Sequence, residues 1–299
     1  MRRLLLAFAA LLLLSPAFAQ TEAQPAKRGF FWEAHKGAHR VYLLGTIHVG
    51  RAEFYPPHPD YLRWFDEAAV IVVEANVFDA KRVAEAIQKT ALYPDGDPGL
   101  GKRLNERQKE RVTALVNRFG LDPVRIWRMK PWMAANTFII LQAASLGFNP
   151  AYATEAFLFQ YASAHGKPLA EIESIDAQLA IFERVDTATQ VAYLEQALTG
   201  IETGDAEREV RRIVTAWEKR DAAEAERLIG EIRKADTPGE RFVAERLFDA
   251  RHAQMVDAID RYAASGKLHL VAVGALHYFG PNGLLQLLRA RGYAVTAVP

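Results

Sequence analysis

Two segments of this chain bring a histidine to the same place after an apolar run. Tyr42-Leu43-Leu44-Gly45-Thr46-Ile47-His48 ends in Gly-x-x-His, and Val271-Ala272-Val273-Gly274-Ala275-Leu276-His277 repeats the arrangement close to the C-terminus. A third run, Ala69-Val70-Ile71-Val72-Val73-Glu74, ends in a carboxylate. Each glycine is expected to let the backbone turn sharply. The histidine then falls just past the carboxyl end of a buried strand, where open α/β sheets place their ligands. Ionisable groups at the ends of apolar strands are costly to bury without partners. If the three strands are parallel neighbours, His48, Glu74 and His277 face one crevice, a set suited to a reaction site.

These residues need strands from both ends of the chain. The apolar pattern predicts strands at 40–44, 69–74, 168–173, 268–273 and 293–298. Pro56, Pro57 and Pro59 make a turn, and a short helix at 60–67 leads into the second strand. The middle is helical. Asn105 with Gln108 is a capping-box pattern and Gly120 a stop. Asp122-Pro123 opens another helix, and Lys130-Pro131-Trp132 starts one that ends near Gly147. Helices are predicted at 153–165, 174–185 and 282–291. From Asp186 to Ala264 the pattern is helical throughout, with joints expected at Gly204, Gly230 and Pro238-Gly239. The fold class is therefore α/β in the broad, α+β sense: a central sheet built from N- and C-terminal strands, with a large helical insertion over about residues 100–265.

The chain has 299 residues, a formal charge of +1, half of its residues hydrophobic, and no cysteine. That balance is ordinary for a folded domain and speaks against a nucleic-acid protein, which carries a basic face. Without cysteine there is no disulfide, thiolate metal site or thiol nucleophile. Residues 1–19 read as a signal peptide: Arg2 and Arg3, an apolar run from Leu4 to Leu14, Pro16, and Ala17-Phe18-Ala19 as a site cut after Ala19. The expected location is the periplasm, with residues 20–29 a short disordered leader and 30–299 one domain. No later stretch is long and apolar enough to span a bilayer. A nucleotide-binding glycine loop, a Gly-x-Ser-x-Gly elbow and a His-Glu-x-x-His helix are all missing.

Gly45-Thr46-Ile47-His48, Val72-Val73-Glu74, Lys130-Pro131-Trp132 and Gly274-Ala275-Leu276-His277 with Gly280-x-x-Gly283-Leu284-Leu285 resemble the TraB/GumN family over about residues 30–298. That family is grouped with the Tiki metalloproteases and, more remotely, with erythromycin esterases and ChaN-like haem-binding proteins. The resemblance implies a core of two related halves, each with one Gly-x-x-His. It also implies a hydrolase-like site of His48, His277, Glu74 and a helix residue that falls at Arg251. Three positions depart from the family pattern. Arg251-His252 stands where members often have Arg-Asn. Ala153-Thr154-Glu155 replaces Gly-x-Asp, and Glu171-Ile172-Glu173-Ser174, with Gln178 in place, replaces a Leu-Glu-Thr strand end.

Two schemes fit these groups. In one, His48, Glu74 and His277 hold a divalent ion (Mn, Co or Zn), which activates water, while Arg251 stabilises an oxyanion. In the other, a histidine is the general base and Glu74 orients it. Both describe an exported hydrolase of peptides or small amides and esters; the resemblance to the Tiki metalloproteases favours the metal-dependent, peptidase-like scheme, and the resemblance to erythromycin esterases keeps the other. The alternatives are a periplasmic protein that binds a peptide, metal or haem without turnover, and an envelope or polysaccharide-associated factor with a degenerate site. Of the other histidines, His35, His39 and His58 read as surface residues, His165 as a helix end, and His269 as structural. His252 reads equally as helix surface or as site wall. Trp127, Trp132, Phe138 and Ile139-Ile140-Leu141 read as core, and Trp64 as packing for the helix between the first two strands.

Overall fold

A computed structural model describes residues 25–298, so the signal-peptide assignment lies outside the described residues. Six strands form one sheet: β1 (Phe30–Lys36), β2 (His39–Thr46), β3 (Val70–Val73), β4 (Leu169–Glu171), β5 (His269–Gly274) and β6 (Ala294–Ala297). Their order is β4-β3-β5-β2-β1-β6. The four strands β4, β3, β5 and β2 run parallel, while β1 is antiparallel to both β2 and β6. The C-terminal β5 thus lies between two N-terminal strands, as the matched histidine segments require. Its register pairs Thr46 with Gly274 on one side and Val73 with Ala272 on the other. Three strand ends therefore stop at nearly the same level, and the residues after them share one edge of the sheet.

The helices of the first part are α1 (Pro59–Glu67), α2 (Ala80–Thr90), α3 (Glu106–Arg118), α4 (Pro123–Trp127), α5 (Pro131–Ser145) and α6 (Thr154–Ala164). They are followed by α7 (Ile175–Glu183), α8 (Thr187–Thr203), α9 (Asp205–Lys219), α10 (Ala222–Ile232), α11 (Pro238–Arg241), α12 (Ala250–Ala264) and α13 (Leu284–Ala290). Both sheet faces are covered, so alternate side chains enter different cores. Trp32, Leu43, Val72 and Val271 face Met255, Val256 and Ile259 of α12. Phe31, Tyr42, Leu44 and Ile71 face Trp64 and Phe65 of α1 and Leu158 of α6. Trp64 stacks on Tyr42 with ring centroids 4.4 Å apart, as predicted for the helix between the first strands. Each such side chain contributes about 1.5–3 kcal/mol when buried. The helical block has a core of its own around Leu115, Trp132, Phe138, Leu194 and Phe242.

Several local expectations are refined. The capping box at Asn105 and Gln108 is present, and Asp122 caps α4. Gly204, with φ +77°, joins α8 to α9 as expected. Gly230 lies inside α10 and makes no joint. The break comes earlier, at Arg220, the one non-glycine residue with positive φ among the described residues, where Asp221 then caps α10. Ile140, read as core, is 46% exposed. Strand β1 carries no clean period-two signal, because Phe30, Phe31 and Trp32 are all buried. Within the expected leader, Lys27 pairs with Asp60 at 2.9 Å, and the Gly29 amide donates to the Trp217 carbonyl at 3.0 Å. Among the described residues no helix is long and apolar enough to cross a membrane.

Candidate functional site

The two Gly-x-x-His segments and the end of β3 converge above Gly274. A Cβ placed on that glycine would lie 3.3 Å from His277 Cδ2, 3.4 Å from His48 Nε2 and 3.6 Å from Glu74 Oε2. Glycine leaves open here the space that a side chain would take from these three groups. Its backbone, at φ −46° and ψ 129°, is open to any residue, so the turn expected from the sequence is not the reason. The same holds at Gly45, where a Cβ would meet Ala275 Cα at 3.1 Å and Phe30 Cβ at 3.2 Å. These contacts let β2 and β5 end side by side.

Glu74 leaves β3 and is buried. Its Oε2 accepts from the Gly274 amide at 3.1 Å, and its Oε1 accepts from Gln178 Nε2 at 2.9 Å and from Arg251 Nη2. Burial alone would raise its pKa. The Arg251 guanidinium, with both histidines behind it, overcomes this and holds the carboxyl at about 2. Beside it, β4 continues past its last residue: the Glu173 amide donates to the Glu74 carbonyl at 2.9 Å. Glu173 is likewise buried, and its Oε2 accepts from Arg251 Nη2 at 2.6 Å. Arg251 enters from the first turn of α12. A π-helical stretch, Phe242–Asp249, precedes that helix, and the Leu247 carbonyl in it accepts from Arg251 Nη1 at 3.2 Å. One guanidinium thus joins two buried carboxylates, and each of its three nitrogens has a partner.

The histidines differ sharply. The His48 side chain is 69% exposed at the mouth, with Nδ1 3.0 Å from Glu155 Oε1. Glu155 is buried at the start of α6 and also accepts from Thr46 Oγ1 at 2.5 Å. Two backbone-level bonds fix this pairing: Ile47 N donates to Thr154 Oγ1 at 3.1 Å, and Thr154 N donates to the Ile47 carbonyl at 2.9 Å. The Glu155 carboxylate pushes the His48 pKa up to about 9, against desolvation, so the ring is cationic at neutral pH. His277, by contrast, is buried, and burial together with Arg251 lowers its pKa to about 3. Its Nδ1 is 2.9 Å from His252 Nε2, and its Nε2 has only a long 3.5 Å contact with Arg251 Nη1.

All four residues singled out by sequence, His48, Glu74, Arg251 and His277, lie together. Glu155, Glu173, Gln178 and His252 complete the site. Sequence reading marked each of these four positions without assigning it a contact. His252 is a buried site wall. Of the remaining histidines, His35 and His39 are exposed as expected, whereas His58, expected at the surface, is half-buried and caps α1 through Nδ1. His165 lies 2.8 Å from the Tyr161 carbonyl at the end of α6, and His269 packs on Tyr262. Trp132 of the Lys-Pro-Trp segment is buried in the helical core, stacked on Phe182.

The donors do not fit a divalent ion as they are arranged. Among the described residues, no group of three or more His, Asp or Glu is positioned to hold one. Glu74 has hydrogen-bond donors on both oxygens, His277 Nδ1 is engaged, and the fixed guanidinium stands beside both residues. A second cation there would meet its repulsion at low dielectric.

The fold and site define a class: an α/β sheet protein whose strand ends carry two Gly-x-x-His histidines and an arginine-clamped glutamate. The profile of the TraB/PrgY/gumN family matches residues 30–297, and the chain belongs to that family. It is 25% identical over 256 residues to the uncharacterized protein YbaP of Escherichia coli strain K12, covering 85% of this chain and 89% of that protein. It is 23% identical over 273 residues to an uncharacterized protein of Treponema pallidum strain Nichols, covering 89% of this chain and 81% of the relative. No solved structure matches.

Proposed function

We propose that this protein is an exported hydrolase of peptides or small amides and esters, working at the crevice above Gly274. The observation that carries this reading is the convergence of His48 Nε2, Glu74 Oε2 and the His277 ring on the space that Gly274 leaves open. Two histidines in one site whose neighbours drive their pKa values apart, to about 9 and about 3, supply an acid and a base at the same pH. A water above Gly274 gives a proton to His277 Nε2 as its oxygen bonds to the substrate carbonyl carbon. The His48 imidazolium hydrogen-bonds the oxyanion that develops. When the C–N or C–O bond breaks, His48 gives its proton to the leaving amine or alcohol. The proton on His277 passes to solvent, and His48 regains one. Glu155 orients His48. Arg251 holds Glu74 in place, and Glu74 balances the charge that builds on His277.

A second reading has a divalent ion, Mn, Co or Zn, held by His48, Glu74 and His277. The same convergence favours it, but Arg251 must first leave Glu74. The test is cleavage of a mixed peptide library, together with small amide and ester probes, by purified mature protein with and without chelator. Metal analysis of the protein runs alongside. Turnover that survives chelator and disappears in His48→Ala supports the metal-free scheme. Turnover abolished by chelator supports the ion. Stoichiometric uptake of a library peptide without cleavage makes the protein a binder. Neither cleavage nor uptake points to an envelope-associated role with a degenerate site.

A further inference from the structure

The hydrogen-bond chain behind His277 leaves only one consistent placement of its protons. The Asn282 carbonyl can only accept, so His252 Nδ1, 2.8 Å away, carries a hydrogen. At the other end of the chain Arg251 Nη1 can only donate, so His277 Nε2, 3.5 Å away, is bare and the hydrogen of that ring is on Nδ1. His277 Nδ1 therefore donates to His252 Nε2, 2.9 Å away, which is bare as well. The opposite assignment fails at both ends. It sets a bare His252 Nδ1 against a carbonyl, and an Nε2–H of His277 against a guanidinium N–H.

We propose that His252 is a positioning residue that holds His277 as the Nδ1–H tautomer, its bare Nε2 left beside Arg251 Nη1, with the Asn282 carbonyl as the fixed end of the chain. A free histidine side chain favours the other tautomer, with hydrogen on Nε2, so the protein has to impose this one. The turn that aims the carbonyl is built for it. Gly283 N donates to the Gly280 carbonyl at 3.0 Å, and Gly280 has φ +86°. A Cβ on Gly280 would lie 2.6 Å from Ile229 Cγ2, and one on Gly283 would lie 2.2 Å from the Phe279 carbonyl oxygen. The Gly280-x-x-Gly283 segment that follows the second Gly-x-x-His thereby gains a role: it sets the proton position on the histidine before it.

This inference deepens the hydrolytic reading and takes its functional meaning from it, but its test is spectroscopic and independent of turnover. The mature protein is labelled with ¹⁵N-histidine, and two-bond ¹H–¹⁵N correlations assign the protonated ring nitrogen of His277. The expected wild-type result is hydrogen on Nδ1 and a bare Nε2. In His252→Phe, which keeps an aromatic ring but offers no acceptor, the Nδ1–H form is lost in favour of Nε2–H. His252→Gln, whose amide oxygen can accept, restores part of the Nδ1–H population. A wild-type His277 with hydrogen on Nε2 overturns the proposal, whether or not the variants fold. So does an unchanged tautomer in a folded His252→Phe. A wild type with the Nδ1–H tautomer but no activity on any substrate counts against the hydrolase and leaves the positioning role standing.

Discussion

Glu173 lies directly beside Glu74: its amide donates to the Glu74 carbonyl at 2.9 Å, and both carboxylates accept from Arg251 Nη2. Two acids side by side are stable in a buried place only because one guanidinium serves both. Parallel pairing of β4 with β3 creates this neighbourhood, so the clamp is a product of sheet topology.

Removal of Arg251 should therefore be felt first as instability. Arg251→Ala leaves two buried carboxylates without a counter-charge, which costs about 3–5 kcal/mol. Glu173→Gln, which relieves the excess acid, should recover part of that loss in the double variant. Denaturant unfolding of the three variants measures it. An Arg251→Ala protein as stable as wild type would show that the clamp carries no stabilisation.

Gly274→Ala separates folding from function. The added methyl meets one ring carbon, one ring nitrogen and one carboxylate oxygen at 3.3–3.6 Å, a tight but tolerable fit. The stability loss should stay within about 1–3 kcal/mol. On the proposed hydrolytic scheme turnover should vanish, because the methyl takes the place assigned there to the attacking water. Retained activity in this variant would move the reaction centre elsewhere.

Glu155→Gln should lower the His48 pKa from about 9 toward its ordinary value, since the carboxylate is the main cause of the rise. NMR titration of the His48 ring reads this directly. The alkaline limb of the pH–rate profile should move to lower pH by the same amount. If His48 titrates unchanged, Glu155 is not its partner in solution.

The pH dependence of stability has a definite sign. His277 has a folded pKa of about 3 against an ordinary 6.5, so below 6.5 the unfolded chain binds a proton that the folded one refuses. Its contribution is complete above 6.5 and is lost as pH falls toward 3, a change on the order of a few kcal/mol. Glu74, at about 2 against 4.5, adds a loss in the same direction below pH 4.5. His48 acts oppositely, its contribution being present below 6.5 and fading as pH rises through 9. Solvent around that exposed ring keeps the effect small. Unfolding free energies should rise with pH from 4.5 to 6.5 in wild type and level off above that, and the rise should be shallower in His277→Phe.

Much of the site was legible in the residue order. An apolar run that ends in glycine and then histidine, occurring twice, marks two buried strands with ionisable ends, and a third run marks Glu74. Arg251 has no such signal, since it sits in a mixed-charge helix, and only the resemblance to a family located it. Glu155, Glu173 and His252 were visible as residues but not as contacts. Each lies on a different element from the group it serves, and periodicity reports a face of an element without its neighbour. The glycines of the two Gly-x-x-His segments were correctly marked, but for the wrong cause. Their backbone needs no special conformation, and the crowding around them comes from atoms distant in sequence.

By itself the sequence determined five of the six strands, β1 excepted, the helical block, the caps of α3 and α4, and the residue types at three strand ends, because these follow from local hydrogen bonding and from the period of apolar side chains. Tertiary structure alone decided that β5 inserts between β2 and β3. It also decided that a single guanidinium serves two acids, that one histidine is cationic and exposed while its counterpart is neutral and buried, and where the proton on that buried ring resides. Those properties depend on distance, burial and the direction of lone pairs between segments far apart in the chain, and they exist only once the chain has closed on itself.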